Sequence, residues 1–253
     1  MRAWLIQQAV LRPETHRSHG LPTVSGMDEG LTYLVRVWLP DRPGALAAVA
    51  ARIGALKGDV LGLEIVERSN GLAVDELVVS LPDGVSVDLI VKEVGQVDDV
   101  EVEDVRLLEG STYDPQLDAL EAAAIILGAD ERDDLARALC EHVGRTVRAG
   151  WVCVLESGGV VLASWGDRPN DRWLDSFVSG SPPCDTPSRL PDMDAVWLPL
   201  PAAGAALIVG RDTPIRARER HRIAALARIA DAWFRRLKER STLEAWMSHP
   251  CRP

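Results

Sequence analysis

The run VWLPDRPGALAAVAARIGAL, residues 37–56, drives an apolar, strand-like segment into a strong helix former through Asp41-Arg42-Pro43-Gly44. That corner constrains the fold more than any other feature. Proline has no N–H to give and is tolerated only around a helix start. Glycine reaches backbone angles closed to other residues and lets another molecule approach the main chain. The strand must therefore stop at the corner and the helix must begin straight after it. Asp41 suits the N-cap. The N–H groups around Gly44, Ala45 and Leu46 then face outward with the positive end of the helix dipole behind them, which suits a carboxylate or phosphate. The same residues also make a plain capped turn that needs no anion.

The flanking pattern extends the reading. LTYLVRVWL (31–39) alternates and is a strand. Leu46, Val49, Ala50 and Ile53 recur at helical spacing, and Gly58-Asp59 stops that helix. VLGLEIVE (60–67) is a second strand with Leu61, Leu63 and Ile65 on one face. Asn70-Gly71 is a hairpin signal, and LAVDELVVSL (72–81) returns as the third strand. Ser86 caps a helix carrying Val87, Ile90, Val91 and Val94. VEVEDVRLL (100–108) is the fourth strand, and its change of phase predicts a bulge near Asp104. The order β-α-β-β-α-β gives one antiparallel sheet with two helices on one face, leaving the other face or an edge for a partner.

Residues 1–26 lack helical or strand period and read as a mobile lead-in, with Met27 an alternative start. Residues 27–109 form the first domain and 110–116 a linker. A second α+β domain spans 117–240. It comprises a helical region at 117–148 broken near Gly128, a hairpin at 151–165, a short helix at 171–179 and an irregular Pro-rich stretch at 179–192. A second hairpin at 195–211 and a helix at 214–240 complete it. Residues 241–253 read as a tail.

The corner and the element order around it resemble an ACT domain over residues 31–108, which implies a ferredoxin-like fold. The resemblance implies pairing of two copies and a small effector, an amino acid or similar molecule, held at their interface. Gly44, Ala45 and Leu46 would offer amides to its carboxylate, and Asp41 would cap the helix or meet an amino group. Asp59, Val60, Leu61 and Gly62 would form the facing wall from the partner subunit, with Gly62 making room for a side chain. Residues 117–240, with the hairpin WVCVLESGGVVLASWG and the closing helix RARERHRIAALARIADAWF, resemble a GAF domain. That family is a sensory α+β fold with a pocket on one side of its sheet.

Composition narrows the function classes. The net charge of −10 disfavours nucleic acid as a partner. Residues 211–240 nonetheless carry 10 bases against 4 acids, and this basic helix reads as a face turned to solvent or to acids of another domain. The cysteines (Cys140, Cys153, Cys184, Cys251) have no regular spacing and read as reduced thiols in a cytoplasmic protein. His249 and Cys251 alone do not make a metal site. No apolar run reaches the roughly 18 residues of a membrane span, and the N-terminus has no export-signal pattern. Ser157 in ESGG is a turn serine, and neither His142 nor His221 has a nucleophile and an acid around it. The expectation is a non-catalytic, homodimeric regulatory protein without cofactor or metal. The alternative is an interaction protein whose two modules only pair and bind no ligand.

Overall fold

The computed structural model describes residues 30–108, 114–183, 188–190 and 193–248. The expected lead-in 1–26, most of the linker, His249, Cys184 and Cys251 lie outside the described residues. Both modules are α+β.

The first module follows the alternation of its strands. It comprises β1 (Leu31–Pro40), α1 (Ala45–Ala55), β2 (Asp59–Ser69), β3 (Leu72–Leu81), α2 (Val87–Val94) and β4 (Glu101–Leu107). The sheet is antiparallel throughout, in the order β2-β3-β1-β4. Odd-numbered residues of β1 (Tyr33, Val35, Val37, Leu39) pack under Ala45, Val49 and Ile53 of α1 and Ile90 and Val94 of α2. Ser86 accepts from the Leu89 N–H at 3.2 Å and caps α2 as expected. Asn70 and Gly71 both take positive φ, 53° and 76°, the twist that a two-residue hairpin demands. Arg36 pairs with Asp104 and Val37 with Val102, so Glu103 is the extra residue of a bulge, where the phase change placed one.

The stop after α1 works differently from the expectation. Lys57, not Gly58, adopts the left-handed backbone, with φ 58°. Gly58 is needed for space: a Cβ there would stand 2.4 Å from Leu81 Cδ2 and 3.0 Å from Ile53 Cγ2.

The second module holds α3 (Pro115–Leu127), α4 (Arg132–Thr146), β5 (Trp151–Glu156), β6 (Val161–Gly166), α5 (Asp171–Gly180), β7 (Ser188–Leu190), β8 (Met193–Leu200), β9 (Ala205–Arg211) and α6 (Ala217–Ser248). Its antiparallel sheet runs β6-β5-β9-β8-β7. β7 falls inside the stretch expected to be irregular, and α6 continues to Ser248, beyond the expected end at residue 240. α3, α4 and α6 form a layer on one sheet face. Ile126, Leu139, Val143, Leu226 and Phe234 close it against Val152, Val154, Leu207 and Val209. Asp114 caps α3 by accepting from the Gln116 and Leu117 N–H groups, with Pro115 in the first turn.

The two modules are locked together by charge. The sheet face opposite α1 and α2 is not left open, because the start of α6 covers it. Glu219 is the hub. Its carboxylate accepts from Arg36 Nη2 of β1 (2.9 Å), from Arg211 Nη1 and Nη2 of β9 (2.9 and 2.6 Å), and from the Arg216 N–H (2.7 Å). The last contact is half of a capping box for α6. Arg36 also donates to Glu76 at 2.5 Å. Arg216 lies over Trp38, 4.5 Å from the ring centroid, and reaches Glu67 at 3.3 Å and the bulged Glu103. Arg218 and Arg222 pair with Glu64. The basic start of α6 is therefore a partner face for the acids of the first module, the second of the two readings its sequence allowed.

Burial alone would push the Glu219 carboxyl up, but the charge and hydrogen bonds of Arg211, the charge of Arg36 and the Arg216 N–H outweigh it and hold it below the ordinary value of 4.5. Its folded pKa is depressed, so its contribution is present above the unfolded value and is lost as pH falls through the folded one. Glu219→Ala strands Arg36 and Arg211 without their shared acceptor. The expected cost is about 3–5 kcal/mol in denaturant titration at pH 7. Glu219→Gln should cost less, and the gap between wild type and Glu219→Gln should narrow as pH falls below about 4.

Candidate functional site

The corner begins where β1 ends. The Asp41 N–H donates to the Gly71 carbonyl at 2.8 Å, which extends the sheet by one link toward the β2–β3 turn. Arg42 turns back onto the Pro40 carbonyl (2.8 Å), and the Ala45 N–H onto the Arg42 carbonyl (3.3 Å). Gly44 then takes φ 90° and is itself the N-cap of α1. At that angle a side chain is strained, which is why glycine stands here.

Two expectations about this corner need correction. Asp41 does not cap α1: no side chain does. Its backbone is held by Gly71, and its carboxylate faces Arg68 Nε at 3.8 Å. Ala45 does not offer its amide outward either, because Arg42 uses it and the Ala45 side chain is buried. The donors left without an acceptor among the described residues are the N–H groups of Gly44, Leu46 and Ala47; the next amide, Ala48, closes onto Gly44 at 3.0 Å. Among the described residues nothing lies within 4 Å of a Cβ built on Gly44.

The expected facing wall is elsewhere in the chain. Pro40 pairs with Leu72, whereas Asp59 pairs with Ser80, eight residues farther along β3. At about 3.3 Å per residue that is roughly 26 Å. Within one chain Asp41, Gly44, Ala45 and Leu46 share the corner, while Asp59, Val60, Leu61 and Gly62 sit at the opposite end of the sheet. There Asp59 is exposed, Val60 leans on the core, and Leu61 is 56% exposed on the free edge of β2. Gly62 faces Val78, and a Cβ built on it would stand 3.6 Å from the Val78 side chain, in ordinary contact.

The sequence reading passed over one residue near the corner. Asp75 of β3 pairs with Val37 and Ile65, on the sheet face that carries the helices. It is only 3% exposed, and its Oδ1 has no hydrogen-bond partner. Loss of water pushes its carboxyl above the ordinary 3.8, Arg68 pulls it back, and Asp41 pushes the same way as burial. The signal was available: Asp75 falls in phase with Ala73 and Leu77, a carboxylate written into a buried register.

In the second module, the sheet face away from the three helices is filled by the chain itself. Trp151, Cys153, Leu155 and Ile208 meet Leu174 of α5. Trp173 stacks on Phe177 (ring centroids 5.1 Å apart) and meets Trp151 edge-on (6.1 Å). Trp197 donates to the Ser181 carbonyl at 3.1 Å. Cys140 and Cys153 are buried free thiols; burial pushes both up, Cys153 to about 12, so neither is a thiolate near neutrality. Among the described residues no group of three or more His, Cys, Asp or Glu is placed to hold a metal ion, and no helix is long and apolar enough to cross a membrane.

No protein-family model and no curated protein matches the chain. Among solved structures, the C-terminal domain of the MgtC protein from Mycobacterium tuberculosis is similar at 14% identity and a TM-score of 0.27, over 34% of this chain and 94% of that one. An unknown protein from Galdieria sulphuraria is similar at 13% identity and a TM-score of 0.29, over 81% of this chain and 94% of that one. Likenesses this slight carry no functional argument.

Asp75 supplies a direct check on the corner's electrostatics. Its folded pKa is raised, so the folded state holds the proton more tightly than the unfolded chain. The stability tied to that proton is complete below 3.8 and is lost as pH rises through the folded value. Asp75→Asn, which keeps the shape and removes the charge, should melt higher than wild type at pH 7. The advantage should fade as pH approaches 4 in a series of thermal melts.

Proposed function

We propose that the chain is a non-catalytic regulatory protein whose first module is an ACT-like, ferredoxin-like domain that binds an amino acid or similar small effector. Its second module is a GAF-like domain that pairs or relays. One observation carries this reading: the first turn of α1 presents uncovered amides at Gly44, Leu46 and Ala47 beside an unobstructed glycine, with the helix dipole behind them.

The split location of the expected site supports a homodimer. β2 is an edge strand with Leu61 and Leu63 exposed. Two copies pairing β2 against β2 in antiparallel fashion bring the start of one β2, Asp59 to Gly62, alongside the end of the other, which adjoins the Asp41 corner. Two-fold pairing thus joins halves that a single chain keeps apart. An effector bound across that seam favours one arrangement of the pair and shifts the population toward it.

The relay runs through α6. β1 carries the corner at its end and Arg36 and Trp38 just before it, and both hold the start of α6. A shift of β1 at Asp41 is passed to Glu219 and Arg216 over a few residues. The helices at 117–148, expected to carry the change, enter only through their packing on α6.

Thermal melts with the twenty amino acids test the reading, because only a ligand of the native state raises the melting temperature. Wild type should rise with at least one of them. Gly44→Asp sets a negative charge against the amides, and should lose that rise while remaining folded and dimeric. A flat wild-type response across the panel leaves the pairing-only alternative standing. Leu63→Lys, on the exposed edge, should shift the protein toward monomer in sedimentation velocity and weaken the ligand response with it.

A further inference from the structure

We propose that the seam between the modules is a latch. The two modules undock as intact folded units when their facing charges are screened, and the start of α6 lifts off the sheet face of the first module. This stands on the seam itself and does not depend on the effector reading.

Each module closes its own core. Val37, Ile53, Leu77 and Ile90 belong to one buried cluster and Val152, Leu207, Leu226 and Phe234 to another. Among the described residues no buried apolar cluster draws on both modules. A unit with its own core survives separation from its neighbour, and a polar junction between two such units leaves them free to move. What joins these two is charge. Glu64, Glu67, Glu76 and Glu103 of the first module face Arg148, Arg216, Arg218 and Arg222 of the second.

Those pairs are incompletely satisfied. Glu64 Oε2, Glu103 Oε2 and Arg216 Nε are buried without a hydrogen-bond partner among the described residues, although the other atoms of each side chain are engaged. Their lost hydration offsets much of the attraction across the seam, and opening returns it. The cluster around Glu219 also divides along the modules. On opening, Glu219 loses Arg36 but keeps Arg211 and the Arg216 N–H, while Arg36 keeps Glu76. The attraction that holds the latch acts between an acid-rich face and an arginine-rich one. It weakens as salt shortens the screening length from about 10 Å at 0.1 M to about 3 Å at 1 M. Opening takes Arg216 off Trp38, now 4.5 Å from its ring centroid, and bares an aromatic side chain among acids.

Distances between spin labels on the full-length chain test this. One label is placed on exposed α2 (Asp88→Cys) and one on exposed α4 (Arg137→Cys), with Cys184 and Cys251 replaced by serine. Dilution with unlabelled chains restricts the reading to pairs within one chain. At about 0.1 M NaCl a single distance is expected. At about 1 M a second, longer population should appear, vanish on return to low salt, and leave the far-ultraviolet circular dichroism unchanged. Arg222→Glu, which turns a like charge on Glu64, should populate the longer distance already at low salt; Arg222→Gln serves if that variant fails to fold. A single unchanged distance in wild type at 1 M overturns the latch. So does a lengthening accompanied by loss of the dichroism signal, because the modules then unfold rather than separate.

Discussion

The structure depends on one carboxylate buried between two sheets. Glu219 accepts from Arg36 of the first module and Arg211 of the second, and also closes the first turn of its own helix. Neither arginine belongs to the same element as the other, so the group is satisfied only when both modules are folded and docked. A buried ion cluster adds little net stability over an apolar seam of the same volume, but it tolerates no half-formed state. What it contributes is a single relative placement of the modules. A slipped or rotated seam would leave several charges without partners, because Arg216, Arg218 and Arg222 around the start of α6 each meet an acid of the first module.

That seam alters the economy of the first module's sheet. β1 and β3 are buried along nearly their whole length because helices cover one face and α6 covers the other. The edges remain for association, and on β2 exposed Leu61 and Leu63 coincide with a bulged register. The second module shows the reverse distribution. Its helix layer and its tryptophan-lined face are both filled by its own side chains. A small ligand therefore has less to displace at the first module's corner than within the second module's sheet.

Much of this was legible before any coordinates. Period-two and period-3.6 patterns place every strand and helix of the first module within a residue or two, and the phase change at Val102–Val105 locates the bulge. Asn70-Gly71 and Ser86 act as their chemistry dictates. What failed did so for nonlocal reasons. Asp41 reads as a cap by proximity to the helix, but the β2–β3 turn claims its backbone first. Gly58 reads as a conformational stop, whereas Leu81, packed from another strand, demands its smallness. β7 escapes notice because three residues show no period. The basic stripe of α6 looked as much like a solvated surface as an interface, since its acidic partners lie about 150 residues earlier in the chain.

Glu219 and Asp75 together show why burial of charge is informative only when its partners are counted. Both acids sit in the same module pair at nearly the same exposure, 4% and 3%. Their environments drive them in opposite directions: arginines and an amide hold Glu219 ionised, while Asp75 is pushed toward its neutral form. The first arrangement is self-sufficient and needs nothing beyond the chain. The second has one oxygen without a hydrogen bond and only Arg68 nearby to offset the cost of burial, so a neutral residue at position 75 should be tolerated or stabilising.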